Sequence, residues 1–260
     1  MSGALAGRRI VVTRPAGQAE SLAELIHAEG GTPIVFPVIE IRDVADVKPL
    51  AALIDRLEGF DIAVFISANA VAKAMNLVQS RRAWPERVRV ATIGKGSEKA
   101  LRRFGFTDIV APTGRFDSEA LLELAPFTDV SGKRLVIFRG DGGRELLGDT
   151  LSARGALVEY AECYRRVRPD ADVAPLLKLW ARGELDGITV TSSEGLHNLY
   201  DMVGKLGQQW LRRTPTFAPH ARIAVSARAL GLERVIETGP GDLGLVEGLR
   251  VFFGKVQQDR

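Results

Sequence analysis

Tyr160-Ala-Glu-Cys-Tyr-Arg-Arg-Val-Arg-Pro169 follows an apolar strand-like run and precedes a stretch of different composition. It reads as a return crossing between two α/β units, with Tyr164 facing the cleft between them. On its N-terminal side, Arg134-Leu-Val-Ile-Phe-Arg139 is a buried strand, followed by a glycine-rich loop, a helix to Arg154, and a further strand ending at Tyr160. The start of the chain repeats this order. Arg9-Ile-Val-Val-Thr-Arg14 is followed by a turn, an amphipathic helix over 18–29 with Leu22, Leu25 and Ile26 on one face, a stop at Gly30-Gly31, and a second strand.

The likeness extends along the chain. Phe60-Asp61…Ser67 matches Leu185-Asp186…Ser192, and Phe104-Gly105…Ile109 matches Leu230-Gly231…Val235. All fall at an offset of about 125 residues, as two copies of one doubly wound unit do. At that offset 36–42 pairs with 161–167, so both copies leave their second strand through an extended connector, and Tyr164 sits opposite Ile39. Two arrangements satisfy this pattern: contiguous halves, or a chain that crosses at both connectors so that each domain takes one segment from each half.

Composition narrows the class. The chain has 260 residues, 46% of them hydrophobic, which suits a globular protein with a substantial core. No apolar run approaches the ~18–20 residues of a membrane span. The first residues lack a signal-peptide apolar region. Cys163 is the single cysteine, so no intrachain disulfide forms, and a reducing, cytoplasmic setting is expected. A net charge of +3, with basic residues spread rather than clustered, argues against a nucleic-acid stripe. His27, His197 and His220 are scattered and no Cys/His spacing fits a metal site, so no metal or cofactor is expected.

The strand-end loops carry the candidate chemistry. Arg14-Pro15, Ser67-Ala68-Asn69, Gly94…Ser97, Arg139-Gly140 and Thr191-Ser192-Ser193 follow strands and open helices. Helix N-termini present unpaired N–H groups, and small residues let an anion approach the backbone. The competing reading of each Ser, Thr or Asn is a helix cap with no ligand. The set favours a site, because ligands of such sheets bind at the carboxyl ends of the strands. Gly94-Lys-Gly-Ser97 lacks the spacing of a phosphate loop, so nucleotide binding is not expected. Arg139-Gly-Asp-Gly-Gly-Arg144 is a candidate anion loop. Tyr160 and Phe36 read as core or hinge packing, and Cys163 as a small apolar side chain.

These residues, taken together, resemble the uroporphyrinogen-III synthase family. The likeness rests on Val12-Thr-Arg-Pro15, Phe36-Pro37, Phe65-Ile-Ser-Ala-Asn-Ala-Val71, Ile93-Gly94…Ser97, Arg139-Gly-Asp-Gly-Gly-Arg-Glu145 and Glu162-Cys-Tyr-Arg-Arg166. It continues in Thr191-Ser-Ser-Glu-Gly195, Pro219-His-Ala-Arg-Ile-Ala224 and Gly239-Pro-Gly-Asp242. The resemblance implies two flavodoxin-like α/β domains with parallel sheets, joined by a two-stranded linker, with a cleft between them. It selects the crossed arrangement: 1–35 with 172–260, 46–160 inserted, and linker strands over 36–45 and 161–171. It also implies a carbon–oxygen lyase that dehydrates and cyclises hydroxymethylbilane to uroporphyrinogen III with inversion of ring D. No cofactor is implied, a monomer is expected, and porphobilinogen deaminase is the expected supplier of substrate.

Under that resemblance Tyr164 is the candidate catalytic acid, with Arg165 or Arg166 as candidate helpers. Arg14, Pro15, Ser67, Ala68, Asn69, Gly94, Ser97, Arg139, Gly140, Thr191, Ser192, Ser193 and Arg222 are candidate substrate-binding residues. The second copy has lost the glycine-and-hydroxyl loop of Gly94…Ser97, and His220 and Arg222 stand in its place. The alternative class is a two-domain module that binds a small anion without catalysis.

Overall fold

The computed structural model describes residues 3–143 and 145–258. The strands are β1 (Arg9–Val12), β2 (Thr32–Val35), β3 (Glu40–Arg42), β4 (Ile62–Phe65), β5 (Arg89–Thr92), β6 (Ile109–Val110), β7 (Arg134–Gly140), β8 (Leu157–Val167), β9 (Gly187–Thr189), β10 (Thr216–Ala218) and β11 (Val235–Glu237). The helices are α1 (Ala16–Ala28), α2 (Lys48–Asp55), α3 (Ala68–Arg81), α4 (Lys95–Arg103), α5 (Ser118–Leu122), α6 (Ala125–Thr128), α7 (Leu146–Ala153), α8 (Ala174–Ala181), α9 (Ser193–Met202), α10 (Gly204–Arg213), α11 (Ala221–Ala229) and α12 (Gly241–Gln258).

Two compact units result, residues 1–40 with 167–260, and residues 41–166. In the first, the sheet order is β2-β1-β9-β10-β11, with every neighbouring pair parallel. Numbered within the unit this is 2-1-3-4-5, the flavodoxin-like order. The second unit has β3-β8-β7-β4-β5-β6, and its four pairings from β8 to β6 are parallel. By the repeat, β7 and β8 correspond to β1 and β2, while β4, β5 and β6 correspond to β9, β10 and β11. The second sheet therefore has the same 2-1-3-4-5 order, with its last three strands coming first in the chain.

The strands read as continuous apolar runs because both faces are covered. In β4 all four residues are buried, Ala63 and Phe65 in the core on one face, Ile62 and Val64 in the core on the other. The core of the first unit packs Ile10 and Val12 of β1 and Phe217 of β10 against Leu22 and Ile26 of α1 and Leu245, Leu249 and Phe253 of α12.

The repeat is visible atom by atom. Asp61 Oδ2 accepts from the backbone N–H of Arg134 (2.8 Å), and Asp186 Oδ2 accepts from that of Arg9 (2.9 Å). These carboxylates satisfy the first donor of β7 and β1, which lies one residue before the pairing with β4 and β9 begins. Ser67 and Ser192 cap α3 and α9 through bonds from Ala70 N (3.1 Å) and Gly195 N (2.9 Å). The helix stops Gly30 and Gly155 have φ of 83° and 84°, where a side chain is strained.

The structure adds elements that periodicity missed. Helices α5 and α6 fill residues 118–128, and α8 and α10 flank the stretch before and after β9 and α9. With five and four residues, α5 and α6 are too short to show an apolar stripe. The segment 161–167 is strand β8 throughout and hydrogen-bonds along β7. Arg144 of the glycine-rich loop lies outside the described residues.

Candidate active site

Every loop singled out above lies at the C-terminal end of a strand in one of the two parallel sheets. In the 41–166 unit these are Ser67-Ala68-Asn69 after β4, Gly94 and Ser97 after β5, Arg139-Gly140 at the end of β7, and Tyr164 in β8. In the other unit they are Arg14-Pro15 after β1, Thr191-Ser192-Ser193 after β9, and His220 and Arg222 after β10. Parallel strands put all such ends on one rim of each sheet.

Tyr164 is aimed by a β-bulge. Arg139 pairs with Glu162 and Gly140 pairs with Tyr164, so Cys163 is the extra residue on β8. In a regular strand, neighbours point to opposite faces. Here Ala161, Cys163 and Tyr164 all join the same core. The bulge turns Tyr164 onto the face it would otherwise avoid, as bulges near functional groups do. Tyr164 is 5% exposed and its ring abuts Gly140, where a Cβ would come within 2.7 Å of two ring carbons. Its hydroxyl is 3.1 Å from Ser67 Oγ, which also accepts from Ala70 N at the start of α3. The backbone closes the arrangement: Asp141 N donates to Tyr164 O (2.9 Å).

The neighbouring arginines are bonded to loops. Arg166 is bound to the glycine-rich loop, its backbone N–H donating to Asp141 Oδ1 (2.9 Å) and Nη2 to Asp141 O (3.2 Å). Arg165 is exposed and its Nε reaches Asp43 O (3.4 Å). Both thus contact the loops that flank β8. Cys163 is buried, and burial pushes its thiol up to about 12, so it stays protonated at neutral pH and packs as an apolar group.

Arg139 is the unusual cation. It is 7% exposed, its guanidinium lies 4.3 Å over the centre of the Tyr160 ring, and among the described residues Nε and Nη1 have no hydrogen-bond partner. A stacked aromatic offsets part of the cost of burying that charge, but leaves the N–H groups unanswered. Tyr160, read from the sequence as packing, is the residue that holds it, and its own hydroxyl abuts Gly148 of α7.

The other candidates divide by burial. Arg14 is committed to Asp242 in the first turn of α12, Nη1 to Oδ1 at 2.5 Å, so its charge is largely spent within the unit. Pro15 and Gly94 occupy the N-cap positions of α1 and α4 with no side-chain cap bond. Ser97 is buried, Ala68 is exposed, and Asn69 and Thr191 are half-buried. Ser192 caps α9, and Ser193 Oγ accepts from Ser226 Oγ (3.0 Å). Arg222 is exposed in the first turn of α11, beside His220 at its N-cap. A 430 Å³ cavity between α2 and β8, lined by Pro49, Leu53, Tyr160, Glu162 and Arg165 among others, holds none of the candidate substrate-binding residues.

The rim of the 41–166 unit thus sets one buried phenol beside the serine that caps the start of α3. The family model described as uroporphyrinogen-III synthase HemD matches residues 20–247. The uroporphyrinogen-III synthase of Salmonella typhimurium is 36% identical over 228 residues, 87% of this chain and 93% of the relative. That of Escherichia coli is 35% identical with the same coverage. Two solved structures share the fold: a mutant uroporphyrinogen III synthase from Thermus thermophilus (TM-score 0.64, 19% identity, 96% of this chain and 99% of that one) and the enzyme from Helicobacter pylori (TM-score 0.56, 14% identity, 96% and 99%). With a family match across most of its length, and two parallel-sheet units that place the matching motifs at their strand ends, the chain belongs to the uroporphyrinogen-III synthase family.

Proposed function

We propose that the chain dehydrates hydroxymethylbilane and closes it to uroporphyrinogen III with inversion of ring D, with Tyr164 as the general acid. The single observation that carries the assignment of the acid is the bulge, which brings a buried phenol to the helix-lined rim of the sheet. In the first step the Tyr164 proton goes to the hydroxyl leaving the terminal CH2OH. The carbon–oxygen bond breaks, water departs, and the pyrrole nitrogen supplies the electron pair. Ring closure releases one proton from the attacking pyrrole carbon, and that proton restores the phenol. Substrate and product then differ by one water.

The substrate's carboxylates call for many moderate donors. Arg139 with its unanswered Nε and Nη1, exposed Arg222, the N-termini of α3, α4 and α9, and the hydroxyls of Ser97, Thr191 and Ser193 fill that role. Arg14 contributes position more than charge, given its bond to Asp242. Ring inversion then depends on how the bound chain is folded, an effect of orientation. The remaining parts of the reading are a cytoplasmic monomer supplied by porphobilinogen deaminase, with the two compact units as its domains. No helix among the described residues is long and apolar enough to cross a membrane.

The test is a coupled assay: porphobilinogen and purified deaminase, with and without this protein, followed by oxidation and separation of porphyrin isomers. Hydroxymethylbilane left alone closes to the type I isomer. Type III product is the expected result, and type I alone from folded protein overturns the reading. Tyr164→Phe is expected to lower kcat about ten- to a hundredfold, at or below the low end for a positioned acid, since the pyrrole drives much of the step. Unchanged kcat in that variant removes Tyr164 from the mechanism.

A further inference from the structure

We infer that Ser67 is a positioning residue for Tyr164, donating its proton to the phenol oxygen and so leaving the phenol's own proton free for the departing hydroxyl. The inference rests on Tyr164 being the acid. Ser67 Oγ has one proton and two lone pairs. One lone pair takes the N–H of Ala70 at 3.1 Å, and Tyr164 Oη lies 3.1 Å away on another side. Two arrangements fit. If Tyr164 donates to Ser67, its proton is turned inward and withheld. If Ser67 donates to Tyr164, the phenol proton points away and is available.

The second arrangement is also the one that strengthens during reaction. As the proton leaves, negative charge grows on the phenol oxygen, and only the second arrangement offers that oxygen a donor. The oxygen also lies at the N-terminus of α3, a helix of 14 residues whose first-turn N–H groups favour negative charge. A contact that tightens with developing charge lowers the barrier rather than merely binding. Ser67 is thereby set apart from its repeat counterpart. Ser192 caps α9 in the same way, but there the residue matching Tyr164 is Ile39, whose Cδ1 would lie 3.6 Å from a Cβ on Gly195. One copy of the unit keeps a cap; the other couples the cap to a phenol.

The variants that separate these roles are Ser67→Thr, Ser67→Asp and Tyr164→Phe, alone and combined, in the coupled assay with urea unfolding alongside. Aspartate caps a helix as well as serine does but, being ionised, only accepts. It therefore pulls the phenol proton inward. The expected result for S67D is a urea midpoint close to the parent's and a kcat loss matching that of Y164F, with a rise in KM besides, because the added charge at the start of α3 repels substrate carboxylates. S67T, which keeps a donor, recovers most of the activity. The kcat of the Y164F/S67D pair is expected within about twofold of Y164F alone, because both changes remove one interaction. Multiplying losses, a raised KM at constant kcat, or parent-like kcat in S67D each overturn the inference. If S67D folds poorly, Ser67→Ala supplies the same comparison at a lower urea midpoint. A silent Y164F sinks the acid assignment and this inference together; a slow Y164F with a parent-like S67D sinks this inference alone.

Discussion

At the scale of single residues, Gly140 and Cys163 decide more than their chemistry suggests. Cys163 is the extra residue of the bulge, and its thiol takes no part beyond packing and a contact from Sγ to Ala161 O (3.3 Å). Gly140, a candidate substrate contact, also forms the floor against which Tyr164 packs. Its backbone is extended and any residue adopts it, so the demand for glycine comes from the ring above. The loop glycines Gly142 and Gly143 differ, with φ of 61° and 125°. Gly140→Ala puts a methyl group within 2.7 Å of the Tyr164 ring, which has to tilt and withdraw its hydroxyl from Ser67. We expect a destabilisation of about 1–3 kcal/mol in urea, as overpacking gives, and a kcat loss close to that of Y164F. A variant that loses stability with full kcat separates the ring's position from its function.

At the scale of elements, the long strand β8 is pinned at its start and aimed at its end. Near its start, Glu159 receives Arg56 in bidentate fashion (3.0 and 2.6 Å) and Arg134 at 3.3 Å, and both guanidinium groups lie against the Phe60 ring at about 5.5 Å. The hydrogen bonds from Arg56, with smaller help from Arg134, hold the Glu159 carboxyl below its usual 4.5 against the opposing push of burial. A depressed carboxylate stabilises the fold above its unfolded value and loses that contribution as pH falls through the folded one. Glu159→Gln is therefore expected to be less stable at pH 7, and the gap to the parent to narrow at acid pH as the carboxyl protonates. The gap at pH 7 is small, below about 1 kcal/mol, because the pair is a third or more exposed and solvent screens it. Urea titrations at pH 7 and at acid pH check this; an equal gap at both assigns the effect to packing.

At the scale of the whole chain, the second unit is one uninterrupted run of sequence with its own sheet and its own two cores. Residues 41–166 expressed alone are expected to fold, with a cooperative urea transition and dispersed amide resonances. The fragment keeps Tyr164, Ser67 and Arg139 yet lacks Arg14, Thr191, Ser192, Ser193 and Arg222, so no type III product is expected from it. A broad, non-cooperative transition shows that the first unit is needed to complete the fold. Type III product from the fragment shows that one rim suffices. The first unit, by contrast, is assembled from two distant pieces: β1 pairs with β9 across nearly the whole intervening sequence.

The sequence by itself determined the apolar strands, most of the long helices, the small-residue loops at the strand ends, and the repeat whose Asp61/Asp186 and Ser67/Ser192 pairs recur as matching hydrogen bonds. All of these are local: they depend on periodicity, caps and glycines within a few residues of one another. The tertiary structure alone decided which strands lie side by side, since contiguous and crossed halves carry the same local pattern and differ only in long-range pairing. It also decided the bulge at Cys163, because an added residue changes a strand's facing without changing its composition. The same holds for Arg14, whose partner Asp242 lies at the other end of the chain, and for Arg139, whose burial under Tyr160 depends on two strands meeting in register. A residue's type is written in the sequence; the charge it has left to offer a substrate depends on the neighbours that folding brings to it.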